Sequence, residues 1–481
     1  MKRAFLAALL AAFALPASAA AYTPTDPLVK YQWYLAQDHA FDWFGDTLPM
    51  LSPVRVAIID SGLDATNPEF PRSKIIAEKS FIGGNPLTDE IGHGTFIAGE
   101  IAAAIDGKGI VGIAPSAQLI IAKIAGTDET VAPEAEAAAI RWSVDRGAQV
   151  INLSLGGTRD PLHAANDEYS AVEAAAIEYA VRHNVLVVAA VGNSDETPSS
   201  PWPWADYPAA LPHVVGVSAL TQSGNVPTFS NRDRIYNDLS APGQNIFSTL
   251  PLELTADDTT CVDQGYSDCG PDSFRQAAGT SFSTPQVTAA AADLLALDPA
   301  LKSDQVSNIL ERSAADVNAS NGCRQCATGR DQFSGWGRLD IAKAVASIEP
   351  GVPLPPPDRY EPNDDAGSEA ATVTNSVKTV TATIDYWDDE IDVYRIHLAA
   401  RQRLRLRLAG PPSTTTNLLL WKPGTVHVND LRTQRLRAAQ SIKRGPNQGI
   451  AYRVPSRGWY YVEVKLTTPG FGRYTLSISR T

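Results

Sequence analysis

Ser281 lies in GTSFSTP, residues 279–285, at the head of the alanine-rich stretch SFSTPQVTAAAADLLAL. A serine hydroxyl attacks a carbonyl only when a base takes its proton. An imidazole suits that task near neutral pH, and His93 stands in GHGTFIAGEIAAAI. A buried carboxylate fixes the tautomer of such a histidine, and Asp60 closes the apolar run VRVAIID. Asn193, at the end of VLVVAAVGN, offers an amide donor for a developing oxyanion. The Ser281 N–H, at a helix start, is a second. Each residue alone has an ordinary explanation: a turn aspartate, a hydrogen-bonded core histidine, a left-handed asparagine. Together their chain order, Asp60, His93, Ser281, is one of the three known for an acid–base–nucleophile triad, and it belongs to a parallel α/β sheet. The order with a later acid and histidine is excluded. Only His397 and His427 follow Ser281, and there is no G-x-S-x-G.

The surrounding elements can hold these groups. VRVAIID (54–60), LIIAKIA (119–125), VINLSLG (150–156), VLVVAAVGN (185–193) and VVGVSAL (214–220) are continuous apolar runs. Between them lie helical stretches, PEAEAAAIRWSVDRGA (133–148) and YSAVEAAAIEYAVRHN (169–184). The alternation predicts an α/β fold, a parallel sheet with helices on both faces. Ligands then bind beyond the carboxyl ends of the strands, where Asp60 and Asn193 stand.

The 481 residues suggest two or three domains, and 44% hydrophobic with 19% charged content is that of a globular chain. Residues 1–21, with Lys2, Arg3, an apolar core and PASAAAY, read as a signal peptide. That run is too short to span a bilayer, at about 20 residues, and no later segment is apolar enough. The expectation is a soluble protein, secreted or held in the periplasm or at the cell surface. In that oxidising setting Cys261, Cys269, Cys323 and Cys326 favour disulfides. Three pairings are open, with local pairing preferred, and zinc at the C-x-x-C of 323–326 lacks a second ligand pair. EPGVPLPPPD, 349–358, is a stiff proline-rich linker. It divides a region at 22–348 from one at 359–481. Net charge is −13, yet residues 358–481 hold 18 basic and 12 acidic side chains, so the two regions meet different surroundings. Strict alternation in RQRLRLRLAG (401–410), with WYYVEVKLTT and RYTLSISR later, predicts a small antiparallel β-sandwich. Arg401, Arg403, Arg405 and Arg407 are expected on one strand face, suited to an anionic surface such as polysaccharide or lipid, or simply to water. No stacking-aromatic pattern supports nucleic-acid binding.

With these residues in view the chain resembles the subtilisin-like serine proteases from about Tyr31 to Ser347. The carriers are AIIDSGLDATNPEF, GHGTFIAGEIAA, INLSLGG, AAVGN, FSNRDRIYNDLSAPG, GTSFSTPQVTAAAA and GWGRLD, in family order. The resemblance implies peptide-bond hydrolysis on protein or peptide substrates, with Asp60, His93 and Ser281 as triad and Asn193 as oxyanion donor. It implies that Ser154, Leu155, Gly156 and Gly157 bind the substrate backbone beside the S1 pocket. It implies no organic cofactor, but calcium at a loop matching AAAIDGKGIVGIAP, with Asp106, Glu69 and Gln32 as ligands. An apolar or aromatic P1 residue is the family default. The chain departs from the family at Phe96, where a second histidine is usual, and at Phe282-Ser283, where Met-Ala is usual; these positions are expected to pack around the triad. Trp202 and Trp204 either shape specificity or cover the core. Few residues lie between Ala21 and DPLVKYQWYLAQDHAFDWF, which already resembles the start of the catalytic region. The mature chain is therefore expected to fold without an inhibitory propeptide, unaided or with help from another part or protein. YEPNDDAGSEA, DYWDDEIDVYRIHL and GWYYVEVK resemble, more loosely, the bacterial pre-peptidase C-terminal domain. The acidic run Asp385 to Asp392 reads as a solvated turn, with calcium as the other possibility. Two other functions remain open from sequence: a non-catalytic or partner-activated binding protein on this scaffold, and a transpeptidase or cyclase.

Overall fold

The computed structural model describes residues 22–128, 130–194, 197–255, 274–348, 358–385, 389–428, 435–468 and 470–481. Residues 1–21, Cys261, Cys269 and nearly all of the proline-rich stretch lie outside them. Through residue 348 the chain forms α1 (Tyr34–Gln37), β1 (Val54–Asp60), β2 (Ile75–Ser80), α2 (His93–Ala102), β3 (Ala117–Lys123), α3 (Pro133–Asp145) and β4 (Val150–Leu153). Then come α4 (Ala171–Arg182), β5 (Leu186–Ala190), β6 (Val214–Leu220), β7 (Leu239–Pro242), β8 (Ile246–Thr249), β9 (Phe274–Ala277), α5 (Thr284–Leu297), α6 (Ser303–Ser313) and α7 (Ile341–Ala346).

Seven strands make one parallel sheet in the order β2-β3-β1-β4-β5-β6-β7. Successive side chains of β1 point to opposite faces. Val54, Val56 and Ile58 join one core with Ile97, Ile101, Val287 and Leu294. Ala57 and Ile59 join the other with Ile140 and Ile177. Burial of both faces accounts for the unbroken apolar runs, each large aliphatic side chain contributing about 1.5–3 kcal/mol. Two strands escape the sequence pattern for physical reasons. β2 is an edge strand of mixed polarity, and β7 has only four residues and ends in proline. The runs at 150–156 and 185–193 leave the sheet at Leu153 and Ala190. Their last residues turn to line a cleft.

The C-terminal part folds as two facing sheets. One has the order β10 (Ala371–Thr372), β12 (Ile391–Leu398), β17 (Gly458–Leu466), β14 (Thr416–Trp421), β15 (Arg437–Ser441). The other has β11 (Thr379–Asp385), β18 (Phe471–Arg480), β13 (Arg403–Ala409), β16 (Asn447–Arg453). Pairing is antiparallel except between β10 and β12. Leu404, Leu406 and Leu408 point into the core, and Arg403, Arg405 and Arg407 point out. Arg401 does not share that face: it sits in the preceding turn at φ 68°. Residues 386–388 of the acidic run lie outside the described residues, but Asp385, Glu390 and Asp392 are buried rather than solvated. Asp392 is buried beside Asp389 and Glu361, with ligand oxygens within 4.8 Å of one another. Burial, together with the neighbouring carboxylates, pushes Glu361 up to about 9 and raises Asp389 far above its ordinary value.

The two parts touch. Lys465 donates to the Tyr236 hydroxyl at 2.9 Å, and His213 Nε2 lies 3.0 Å from Asp364 Oδ2. Burial alone would lower the pKa of His213. The Asp364 carboxylate, with Glu178 and Glu390 nearby, outweighs it and holds the imidazole well above its usual value. Cys323 and Cys326 form a disulfide. No helix among the described residues is long and apolar enough to cross a membrane.

Candidate active site

β1 lies between β3 and β4, where the strand order reverses, so its carboxyl end opens a crevice. Asp60 is its last residue and His93 the first residue of α2. Asp89 anchors that helix start. Its carboxylate accepts from the N–H groups of Gly92 and Thr95, each at 2.8 Å, and from the hydroxyls of Ser61 and Thr95. Carboxylates suit a helix N-terminus, whose first N–H groups lack partners. The Ser61 hydroxyl in turn accepts from Gly94 N–H at 2.9 Å, which ties the loop after β1 to the helix. Gly94 permits this approach, since a Cβ there would lie 2.2 Å from the Gly62 carbonyl oxygen.

The result is a bifurcated contact. His93 Nδ1 lies 2.8 and 2.9 Å from the two oxygens of Asp60. The aspartate side chain is 4% exposed and the imidazole 27%, so the acid is shielded while the histidine faces the cleft. An ionised carboxylate only accepts, so Nδ1 carries the proton and Nε2 is the basic nitrogen.

Ser281 sits in a single turn, Thr280–Phe282, just ahead of α5. Pro285 falls in the first turn of α5, where its missing N–H is harmless. A relay fixes this turn against β4. Thr288 donates to Asn152 Oδ1 at 2.9 Å, Asn152 to the Ser154 hydroxyl at 2.9 Å, and that hydroxyl to the Ser281 carbonyl at 2.7 Å. The Ser281 hydroxyl donates to the Ser154 carbonyl at 3.0 Å. To reach His93 it must turn, as catalytic hydrogen bonds often tighten only when substrate binds. Asn193 Oδ1 accepts from the N–H and hydroxyl of Thr280, at 3.0 and 3.2 Å. With its oxygen thus engaged, the amide has its NH₂ to offer elsewhere.

Asp60, His93, Asn193, Ser281 and the Ser154–Gly157 stretch all line one cleft of about 680 Å³. Phe282 packs at 4.5 Å from the Phe96 ring and 5.5 Å from the His93 ring, centroid to centroid. The two departures from the family pattern therefore meet beside the imidazole. Trp202 is buried against Trp204 and donates to the Arg159 carbonyl; neither ring is among those lining the cleft.

Gln32, Glu69 and Asp106 surround the loop after α2, but unequally. Gln32 is engaged with the backbone of Val111 through both its amide atoms. Glu69 is buried; Oε1 accepts from Ile110 N–H at 3.2 Å, and Oε2 has no hydrogen-bond donor. Asp26 joins them, its Oδ1 accepting from the N–H groups of Asp106, Gly107 and Lys108 while its buried Oδ2 has no donor. Buried oxygens without donors fit a hard cation.

Sequence reasoning missed several residues of the cleft and of the elements that support it. Asp89, just before Gly-His-Gly, carried a helix-start signal. Asp26, Glu136, Glu173 and Asp206 carried none. Glu136 and Glu173, on α3 and α4, look like solvated helix charges but are buried in the cleft wall and share a hydrogen bond. Burial, together with the neighbouring Glu173, holds the Glu136 carboxyl far above its usual value; burial also lifts Glu173 to about 7.

Residues 52–337 match the family described as the Subtilase family. The chain is 34% identical over 271 residues to Subtilisin BL of Lederbergia lenta, covering 56% of this chain and 86% of that one. It is 32% identical over 309 residues to fervidolysin of Fervidobacterium pennivorans, covering 60% of this chain but only 40% of fervidolysin's length. Among solved structures, that of a lanthipeptide protease superposes with a TM-score of 0.55 at 24% identity, over 68% of this chain and 99% of that one. That likeness is one of fold. The family match spans more than half of the chain and holds Asp60, His93, Asn193 and Ser281. The chain belongs to the subtilase family, and its catalytic region is that of a subtilisin-like serine protease.

Proposed function

We propose that the chain is an exported endopeptidase that cleaves peptide bonds through an acyl-enzyme on Ser281. The observation that carries this is the Asp60–His93 pair opening onto the same cleft as Ser281 and the pinned Asn193 amide. His93 Nε2 takes the hydroxyl proton as Ser281 Oγ bonds to the scissile carbonyl carbon. The oxyanion accepts from Asn193 and from Ser281 N–H. The imidazolium, stabilised by Asp60, gives its proton to the leaving amine as the C–N bond breaks. Water then repeats the sequence and frees the acid. Ser154–Gly157 takes the substrate backbone by strand addition. The test is a fluorophosphonate probe followed by peptide mass spectrometry. A single adduct on Ser281, lost in Ser281→Ala, is expected. No adduct in a folded protein would sink the proposal.

Asn193→Ala is expected to lower kcat by about 10²–10³-fold with little change in KM, roughly 3–4 kcal/mol of barrier. Steady-state kinetics on one peptide substrate reads this directly.

Calcium is the cation we assign to Glu69, Asp106 and Asp26, with Gln32 bracing the loop; bound there it would tie the segment before β1 to the loop after α2. Without metal, burial and then the charges of Asp106 and Asp26 push Glu69 up to about 9. Its folded pKa is raised, so in the metal-free chain its stabilisation is complete below about 4.5 and is lost as the pH rises through about 9. Calcium needs the ionised carboxylate, so binding strengthens over the same range. A chelator is expected to lower Tm by about 5–10 °C at pH 8–9 and by much less at pH 5. An equal effect at both pH values would count against Glu69 as a ligand. The Glu361, Asp389 and Asp392 cluster fits the same kind of ion. We read the sandwich as a pre-peptidase-like domain whose Arg403, Arg405 and Arg407 face meets an anionic surface outside the cell.

A further inference from the structure

The cleft that holds Ser281 is acidic. Among the described residues its lining has five acidic side chains, Asp60, Glu136, Glu168, Glu173 and Asp206, and no lysine or arginine. Asp206 has a special place among them. Its N–H donates to the Val191 carbonyl at 2.9 Å, and the next residue, Tyr207, exchanges two 2.8 Å hydrogen bonds with Gly157. Residues 206–207 therefore bridge two segments: Ser154–Gly157 on one side, and Ala190–Asn193, ending in the oxyanion donor, on the other. Both flanking segments present glycine at the level of the Asp206 side chain. A Cβ on Gly156 would lie 3.3 Å from Asp206 Cβ, and a Cβ on Gly192 would lie 1.8 Å from Asp206 Oδ2. Gly192 holds φ +94°, a conformation that also favours glycine. Asn231 donates to Asp206 Oδ2 at 2.9 Å and, through its own N–H, binds the Gly192 carbonyl at 3.0 Å. The bare faces of Gly156 and Gly192 thus receive the Asp206 side chain, whose carboxylate accepts from the Asn231 amide within the lining of the cleft that holds Ser281.

We propose that Asp206 sets the residue accepted before the scissile bond, selecting lysine or arginine at P1. The inference rests on the hydrolase reading above and replaces the apolar P1 that is the family default. A long unbranched stem lets a cationic end reach a carboxylate set back in the cleft wall, where the pairing is charge-assisted. An apolar P1 side chain instead displaces water from a buried carboxylate without offering it a donor, which is costly. Sites built around such a polar group reject ligands that lack its partner far more strongly than apolar pockets discriminate by size.

The test uses the full mature chain and four tetrapeptide p-nitroanilides that differ only at P1: Lys, Arg, Phe and Leu. kcat/KM for Lys and Arg is expected to exceed that for Phe and Leu by about 100-fold or more. Asp206→Asn keeps an oxygen for Asn231 and is expected to bring the ratio below about 10-fold, mainly by loss on the basic substrates. Should that variant not fold, the wild type alone decides: a peptidyl argininal is expected to inhibit far better than the phenylalaninal of the same sequence. Equal or faster cleavage after Phe or Leu, with Ser281 labelled by the fluorophosphonate, overturns the role of Asp206 and leaves the hydrolase reading standing. No cleavage of any substrate and no label on Ser281 overturns both.

Discussion

Replacing Ser281 with alanine is expected to lower kcat for peptide hydrolysis by about 10⁶-fold in a protein that stays folded, the scale set by removing a triad nucleophile. The hydroxyl makes one hydrogen bond, to the Ser154 carbonyl at 3.0 Å, and losing it costs only about 1 kcal/mol. The backbone relay from Thr288 through Asn152 and Ser154 to the Ser281 carbonyl does not involve that hydroxyl and survives. The oxyanion donors survive too, so rate enhancement of about 10³–10⁴ over water should remain. His93→Ala should cost as much as Ser281→Ala, and the double variant no more than either, because base and nucleophile act as one unit. Turnover measured beside thermal unfolding separates this from misfolding. Additive losses in the double variant would mean that Ser281 and His93 do not share a step.

Much of this site is legible in the sequence because its parts obey local rules. VRVAIID is a buried strand whose last residue must face the crevice. Gly-His-Gly opens a helix of small and apolar residues, and proline at 285 marks the start of another. The cleft's own chemistry is less legible. Asp206 stands in WPWADYP, which reads as an irregular loop; only the pairing of residues 206–207 with Val191 and Gly157 brings its side chain against Gly156 and Gly192 in the cleft wall. Glu136 and Glu173 are 37 positions apart on separate helices, and only the packing of α3 on α4 turns two apparent surface charges into a buried, hydrogen-bonded pair. Asp26 precedes the first strand by many residues and reaches the loop at 106–108 only through tertiary contact. The described acidic residues of the run at 385–392 mislead for the same reason. Composition suggests solvent, whereas β12 carries Asp392 inward, where Asn363 donates to it. Periodicity reports which face of an element is buried, not which distant group it will meet there.

Asp60→Asn gives the second large effect, a fall in kcat of about 10⁴-fold with KM little changed. The direction follows from hydrogen-bond polarity rather than from lost charge alone. Asp60 Oδ1 accepts from Ser61 N–H at 2.7 Å as well as facing His93 Nδ1. In the asparagine variant the amide oxygen stays with the Ser61 N–H, so the NH₂ group turns to Nδ1. An Nδ1–H would then face the NH₂ that replaces Oδ2, so the tautomer with its proton on Nε2 is favoured, on the atom that has to receive the proton of Ser281. The fold should tolerate the change, since the substituted group is isosteric. The fluorophosphonate should therefore react with the variant thousands of times more slowly than with the wild type, while Tm shifts little. Asp60→Ala, which imposes no tautomer, separates the two contributions: a smaller loss than in Asp60→Asn assigns the difference to the misplaced proton. A loss below about 10-fold in Asp60→Asn would mean that His93 takes its orientation from elsewhere, and the carboxylate beneath it would be structural.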